Sequence, residues 1–173
     1  IVCGAPSHGL LVLDFDVDEE REKDGYATLS AWERAQGELP ETAVAITGSG
    51  GMHYLYRTNR NTIRPSANAE LGVDVRCDGS YIVAPPSVHP NGNSYTWNAG
   101  DAPWERDVAK VDANVDAFID YIQRNGGTAQ DDAPQGELFQ LPQRIRKGER
   151  DDTLYRYGCS LRSRGYADDA TAA

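Results

Sequence analysis

Two aspartates stand one residue apart in Leu10-Leu-Val-Leu-Asp14-Phe-Asp16-Val17. After Leu11 apolar and polar positions alternate, so residues 10–17 read as a strand. Leu11, Leu13, Phe15 and Val17 take one buried face, and Val12, Asp14 and Asp16 take the other. Carboxylates at i and i+2 of a strand project from the same face, and two like charges that close are costly unless something positive offsets them. A divalent cation is the usual compensation, since Mg²⁺ and Mn²⁺ take hard oxygen ligands and leave room for substrate phosphates. An edge strand with a solvated acidic face would show the same pattern, and Asp18 extends that face.

Three further clusters bear on the same chemistry. In Thr47-Gly-Ser49-Gly50-Gly51-Met-His53, glycines after a strand let backbone N–H groups converge on an anion, and His53 follows at the start of the next strand. The same glycines also suit a plain hairpin turn. In Gly72-Val-Asp74-Val-Arg76, an aspartate sits between two valines and is expected on the face opposite them. It reads either as a cross-strand ion pair or, if it meets Asp14 and Asp16, as the third acid of a two-metal site for phosphoryl or nucleotidyl transfer. Pro85-Pro86-Ser87-Val-His89-Pro-Asn-Gly92 is a rigid loop that can hold Ser87 and His89 toward a substrate.

The elements that must position these residues follow from periodicity. A helix is predicted over residues 28–37, with Leu29, Trp32 and Ala35 on one face and Thr28 as cap. A short strand over residues 43–47 leads through the glycines to a strand over residues 52–57. Residues 73–76 form a further strand, and Cys77-Asp-Gly-Ser80 reads as a hairpin turn into residues 81–84. Residues 94–97 follow another turn. The long helix spans residues 111–124 and buries Val111, Val115, Phe118, Ile119 and Ile122, with Gly126 as its C-terminal cap. Residues 127–137 are polar and turn-rich, and a last helix is expected over residues 153–164. Short strands with irregularly placed helices predict an α+β fold with a mainly antiparallel sheet.

Bulk properties bound the function. Of 173 residues, 39% are hydrophobic and 25% charged, which suits one ordinary soluble domain, or one domain plus a small appendage. No apolar run is long enough to span a bilayer, and a cytoplasmic location is expected. The chain starts at Ile1 in mid-pattern and is read as a piece of a longer protein. Cys3, Cys77 and Cys159 are scattered and form no CxxC pair, so reduced thiols and no structural zinc are expected. The net charge of −10 opposes nucleic-acid binding by the body of the chain, yet seven of the 17 basic residues lie between Arg144 and Arg164.

Taken together and in order, these segments resemble the bifunctional primase-polymerase family of plasmids, phages and prophages, within the archaeo-eukaryotic primase superfamily. The match runs through Gly4-Ala-Pro-Ser-His-Gly-Leu-Leu-Val-Leu-Asp14-Phe-Asp16, Thr47 to Tyr56, Gly72 to Arg76, Gly79 to Gly92, and Tyr95-Thr-Trp97. The resemblance implies an RRM-like catalytic core over residues 1–126, a linker or surface loop over 127–140, and the start of a helical accessory domain over 141–173. It implies Asp14, Asp16 and Asp74 as catalytic ligands of two Mg²⁺ or Mn²⁺ ions, and His53 as a nucleotide ligand. Ser49, Gly50, Gly51, Arg57, Arg76, Ser87 and His89 are further candidates for the nucleotide. Similar proteins often carry a serine at the place of Gly51, so a hydroxyl role there is absent or passes to Ser49. The implied partners are a single-stranded DNA template, a primer and NTP or dNTP, with a helicase domain in the full-length protein. Arg144, Arg146, Lys147 and Arg150 are candidates for nucleic-acid contact.

Two other readings compete. A non-catalytic replication or origin-binding module would keep the fold without needing the three acids. A haloacid-dehalogenase-type phosphatase resembles Leu11-Val-Leu-Asp14-Phe-Asp16 and Val44-Ala-Ile-Thr47, but its later acidic pair has only Asp131-Asp132 to match it, after a glycine-rich polar stretch.

Overall fold

A computed structural model describes residues 1–18 and 23–125. Strand β1 (Leu10–Phe15) lies inside the main sheet, with a partner strand on each side. The short strands β2 (Val17–Asp18) and β3 (Lys23–Asp24) form a separate hairpin, followed by helix α1 (Gly25–Gln36). Strands β4 (Val44–Ile46), β5 (Met52–Arg57), β6 (Val73–Arg76), β7 (Thr96–Trp97) and β8 (Ala109–Lys110) follow, and helix α2 (Ala113–Asn125) closes the described chain. The sheet order is β6-β1-β5-β4-β7, with β8 also on β5. All pairs are antiparallel except β5 with β8, so the fold is α+β with a mainly antiparallel sheet, as expected.

Each face of this sheet has its own apolar cluster. Leu11, Leu13 and Phe15 of β1 join Tyr56, Val73 and Val75 beneath Leu29 of α1 and Val115, Phe118, Ile119 and Ile122 of α2. Aromatic rings bind this layer: Trp32 lies 5.1 Å from Phe118 and 5.4 Å from Tyr121, and Phe118 stacks at 6.2 Å on Phe15. The Trp32 indole N–H donates to Asn114 Oδ1 at 3.1 Å, which joins the two helices through a polar contact. Burying a set of this kind contributes about 1.5–3 kcal/mol per large side chain. The second face carries Leu10 and Val12 with Cys3, Ala43, Leu55 and Ile82, covered by loops in place of helices. The expectation of one buried face for β1 is therefore corrected: a central strand covered by helices on one side and loops on the other is buried on both.

Several boundaries also shift. Helix α1 starts three residues earlier than expected, because the Asp24 side chain accepts from the Ala27 N–H at 2.9 Å and caps it. Thr28 is not the cap; its hydroxyl donates to the Leu71 carbonyl at 2.6 Å. Helix α2 begins at Ala113, with the Asp112 carboxylate accepting from Val115 N–H, so Val111 packs on the core from outside the helix. The expected hairpin between residues 73–76 and 81–84 does not form. The edges of β6 are taken by β1 and by a bridge to Ser66, and Tyr81 bridges to Val2 instead.

Among the described residues no helix is long and apolar enough to cross a membrane. The expected Gly126 cap, the linker over 127–140, the helical region over 141–173 and its basic residues lie outside the described residues.

Candidate active site

Strand register builds the site. Asp14 is the direct partner of Asp74 on β6 and of His53 on β5, so three side chains form one row across three neighbouring strands on the loop-covered face. The valines on either side of Asp74 turn into the helix-covered core, which leaves the aspartate on the opposite face as expected. Cross-strand partners on one face lie about 4.5–5.5 Å apart between Cβ atoms.

The polar contacts in this row are specific. His53 Nε2 lies 3.2 Å from Asp14 Oδ1, which makes Nε2–H the donor and leaves Nδ1 buried without a hydrogen-bond partner among the described residues. Arg76 bridges the two acids, 2.6 Å from Asp74 Oδ2 and 3.5 Å from Asp14 Oδ2. The Asn68 N–H donates to Asp74 Oδ1 at 3.1 Å, and the Asn68 side chain holds the Ile122 carbonyl and the Leu71 N–H at 3.0 Å each.

Asp16 lies just beyond the end of β1 and is held by its backbone. Its N–H donates to the Gly72 carbonyl at 2.8 Å and its carbonyl accepts from Gly25 N–H at 2.9 Å. A Cβ on Gly25 would fall 2.5 Å from the Gly72 carbonyl oxygen, so this three-chain crossing requires glycine. The Asp16 carboxylate meets Lys23 Nζ at 3.7 Å.

The charges act on each other. Burial works against ionised Asp14, but the hydrogen bond and charge of His53 and the Arg76 guanidinium outweigh it and hold the carboxyl below its usual range. Burial pushes Asp16 up, and the negative charges of Asp14 and Asp74 add to this. Burial also raises Asp74, with Asp14 adding and Arg76 opposing. One ionised carboxylate beside two whose ionisation it opposes is a donor set suited to a hard divalent cation. Among the described residues no three His, Cys, Asp or Glu side chains converge as a ready cage; the Arg76 guanidinium bridges Asp14 and Asp74.

The glycine turn has two sides. The N–H groups of Gly50 and Gly51 donate to Thr47, to its carbonyl at 3.0 Å and its Oγ1 at 2.9 Å, so the turn itself engages two of the donors expected to face phosphate. The Ser49 hydroxyl is exposed and lies 3.0 Å from Thr47 Oγ1. A Cβ on Gly51 would collide with the Phe15 carbonyl, which gives a physical reason for glycine here and leaves Ser49 as the turn's hydroxyl.

The remaining candidates divide. His89 comes in beside the site: its ring lies 6.2 Å from that of Tyr95, which lies 6.2 Å from that of His53. Asn91 and Asn93 donate to the Gly48 carbonyl at 2.9 and 3.0 Å and tie the proline loop to the glycine turn. Ser87 is exposed on that loop. Arg57 shares the face but sits four residues along β5 from His53, about 13 Å away, and donates to the Ser7 and His8 carbonyls at 2.5 and 3.2 Å. It anchors the turn before β1. Arg144, Arg146, Lys147 and Arg150 lie outside the described residues.

Sequence reasoning missed Lys23, Asn68 and Tyr95. Burial and then the charges of Asp14 and Asp16 raise the Tyr95 hydroxyl's pKa, which ties that residue to the acids. The contacts of Asn68 and Tyr95 join segments far apart in sequence, and no local pattern encodes them. Lys23 was open to notice as a cation shortly after the acidic pair.

Residues 1–112 match the family described as Prim-Pol, bifunctional DNA primase/polymerase, N-terminal. No curated protein matches the sequence.

Proposed function

The chain belongs to the bifunctional DNA primase/polymerase family, and on that premise we propose that it joins nucleotides on a DNA template by metal-assisted nucleotidyl transfer, releasing pyrophosphate. The observation that carries this reading is the row Asp74–Asp14–His53 on one sheet face, with Asp16 clamped beside it. Mg²⁺ or Mn²⁺ held by Asp14, Asp16 and Asp74 would supply two-metal chemistry, activating the attacking hydroxyl and neutralising the triphosphate.

The chain's own groups have distinct tasks in this reading. His53 fixes the Asp14 carboxylate through Nε2–H, and with both nitrogens protonated it donates Nδ1–H to a phosphate oxygen. Arg76 balances Asp14 and Asp74 and offers its remaining donors to phosphate. Ser49 supplies the hydroxyl of the glycine turn. His89 and Ser87 line the nucleotide pocket, with Tyr95 between His89 and His53. The basic residues Arg144, Arg146, Lys147 and Arg150 contact the template strand, and a helicase domain accompanies this one in the full-length protein. Charge reversal at Arg146, Lys147 and Arg150 that left template affinity and its salt slope unchanged would reject the template contact.

The test is primer extension on a single-stranded template with Mn²⁺ and either NTPs or dNTPs, with and without primer. Product from the wild type and none from Asp14→Ala or Asp74→Ala supports the assignment; full activity in either variant rejects it. A non-catalytic module predicts no product and no Mn²⁺ binding that depends on Asp14. The phosphatase reading loses its basis, because the family match spans all three acids.

A further inference from the structure

A cleft opens beyond Asp16, lined by Asp16, Val17, Asp18, Lys23 and Ser49. One wall is the β2–β3 hairpin and the other is the glycine turn. Asp18 and Lys23 are direct cross-strand partners, so both side chains stand on the same face of the hairpin. The turn is held in place by the Tyr26 hydroxyl, which donates to the Gly50 carbonyl at 2.9 Å. Among the described residues Lys23 is the one basic residue lining the cleft. Its side chain is only 19% exposed, so the ammonium is drawn into the cleft rather than left in solvent. From there it meets Asp16 at 3.7 Å, and its charge also reaches Asp74.

The recess holds one ammonium and one hydroxyl beside the Asp16 and Asp18 carboxylates, and the first two are the donors a phosphate chain can take. The ammonium is a compact charge with three donors, and the Ser49 hydroxyl adds a fourth. The recess shares Asp16 with the acidic row but not Asp14 or His53, so a polyphosphate held at the acids would run on into it. Resting on the nucleotidyl-transfer reading above, we propose that Lys23 binds the distal phosphates of the incoming nucleoside triphosphate in this cleft, with Ser49 opposite it. Lys23 is then a substrate-binding residue supplied by the small hairpin rather than by the main sheet. Its ion pair with Asp16 holds the ammonium in place until the triphosphate arrives.

The experiment measures binding of nucleoside triphosphate and monophosphate to the whole chain by calorimetry, with Mn²⁺ present, in the wild type, Lys23→Met and Lys23→Arg. Lys23→Met weakens triphosphate binding about tenfold, the loss of one charge-assisted hydrogen bond, and leaves monophosphate binding unchanged. Lys23→Arg restores most of the difference. Unchanged monophosphate binding also shows that the variant is folded. If Lys23 serves only to neutralise Asp16, Lys23→Met alters Mn²⁺ affinity, the triphosphate-to-monophosphate ratio stays put, and the proposal is overturned. Primer extension by the wild type is run alongside. A wild type that binds triphosphate but does not extend primers defeats the parent reading while the Lys23 comparison still reads out. A wild type that binds no triphosphate defeats both.

Discussion

The two faces of the central sheet are built from the same strands and do opposite work. On one, Leu11, Leu13 and Phe15 meet two helices and a set of stacked aromatic rings. On the other, Leu10 and Val12 begin a second apolar cluster, but the next position outward is Asp14, in a row with Asp74 and His53. On the helix-covered face apolar side chains pack on one another, and among the described residues only the Oγ of Ser66, a residue bridged to Val75, is buried there without a partner. The loop-covered face keeps crowded carboxylates, an unpartnered histidine nitrogen and a guanidinium shared by two acids. A two-residue repeat thus lets one strand carry both packing and strain, with the packing on one side holding the strained groups in register on the other.

The sharpest way to test that division is to substitute on each side in turn. Asp14→Ala is expected to lower primer extension by about 10³-fold or more while the far-UV circular dichroism stays native. A loss of the fold instead would mean that the acidic row is structural. Phe118→Ala, on the other side, should cost about 3–5 kcal/mol in urea unfolding through lost burial and the cavity left behind. Asn68 crosses the division, since its backbone holds Asp74 and its side chain holds helix α2. Asn68→Ala should therefore cost about 1–3 kcal/mol of stability and also reduce extension. Stability loss with untouched extension would show that the two faces are not coupled there.

The smallest effect has the opposite sign. Asp16 binds its proton more tightly in the fold than in the unfolded chain, because burial and then Asp14 and Asp74 disfavour its charge. Folded stability therefore falls as pH rises from the ordinary aspartate range through the raised value. Asp16→Asn removes that slope. It should raise Tm by about 1–3 °C at neutral pH, less at pH 4, and abolish extension. Asp14 runs the other way: its lowered pKa stabilises the fold at neutral pH, and that contribution is lost as pH falls through the folded value. Scanning calorimetry at the two pH values separates the two aspartates.

What was legible in the sequence follows the same division. Strands β5 and β6 match their expected bounds, residues 52–57 and 73–76, because alternation is a local signal and glycines mark their starts. The acids and His53 were readable from ordered motifs, and register then brought Asp14, Asp74 and His53 into one row. What failed depended on long-range partners. Residues 81–84 carry a strand-like composition after a tight turn, yet the edge they would pair with is already occupied. Thr28 has cap chemistry, but Asp24 lies at the start set by the crossing of Gly25 and Gly72. Arg57, a phosphate candidate by type, donates to the Ser7 and His8 carbonyls, contacts that its own strand does not announce.

The place of β1 between two later strands has a consequence for how the protein is made. Its two partners, β5 and β6, begin at Met52 and Val73. A ribosome delivering about 5–20 residues per second exposes Leu10–Phe15 for several seconds before both edges can be covered. In that interval an apolar, β-prone segment waits unpaired, the kind of stretch that nascent chains use to stick to one another. Asp14 is its only charge. The carboxylate that the finished protein places at the centre of its acidic row is, during synthesis, the segment's own safeguard against aggregation.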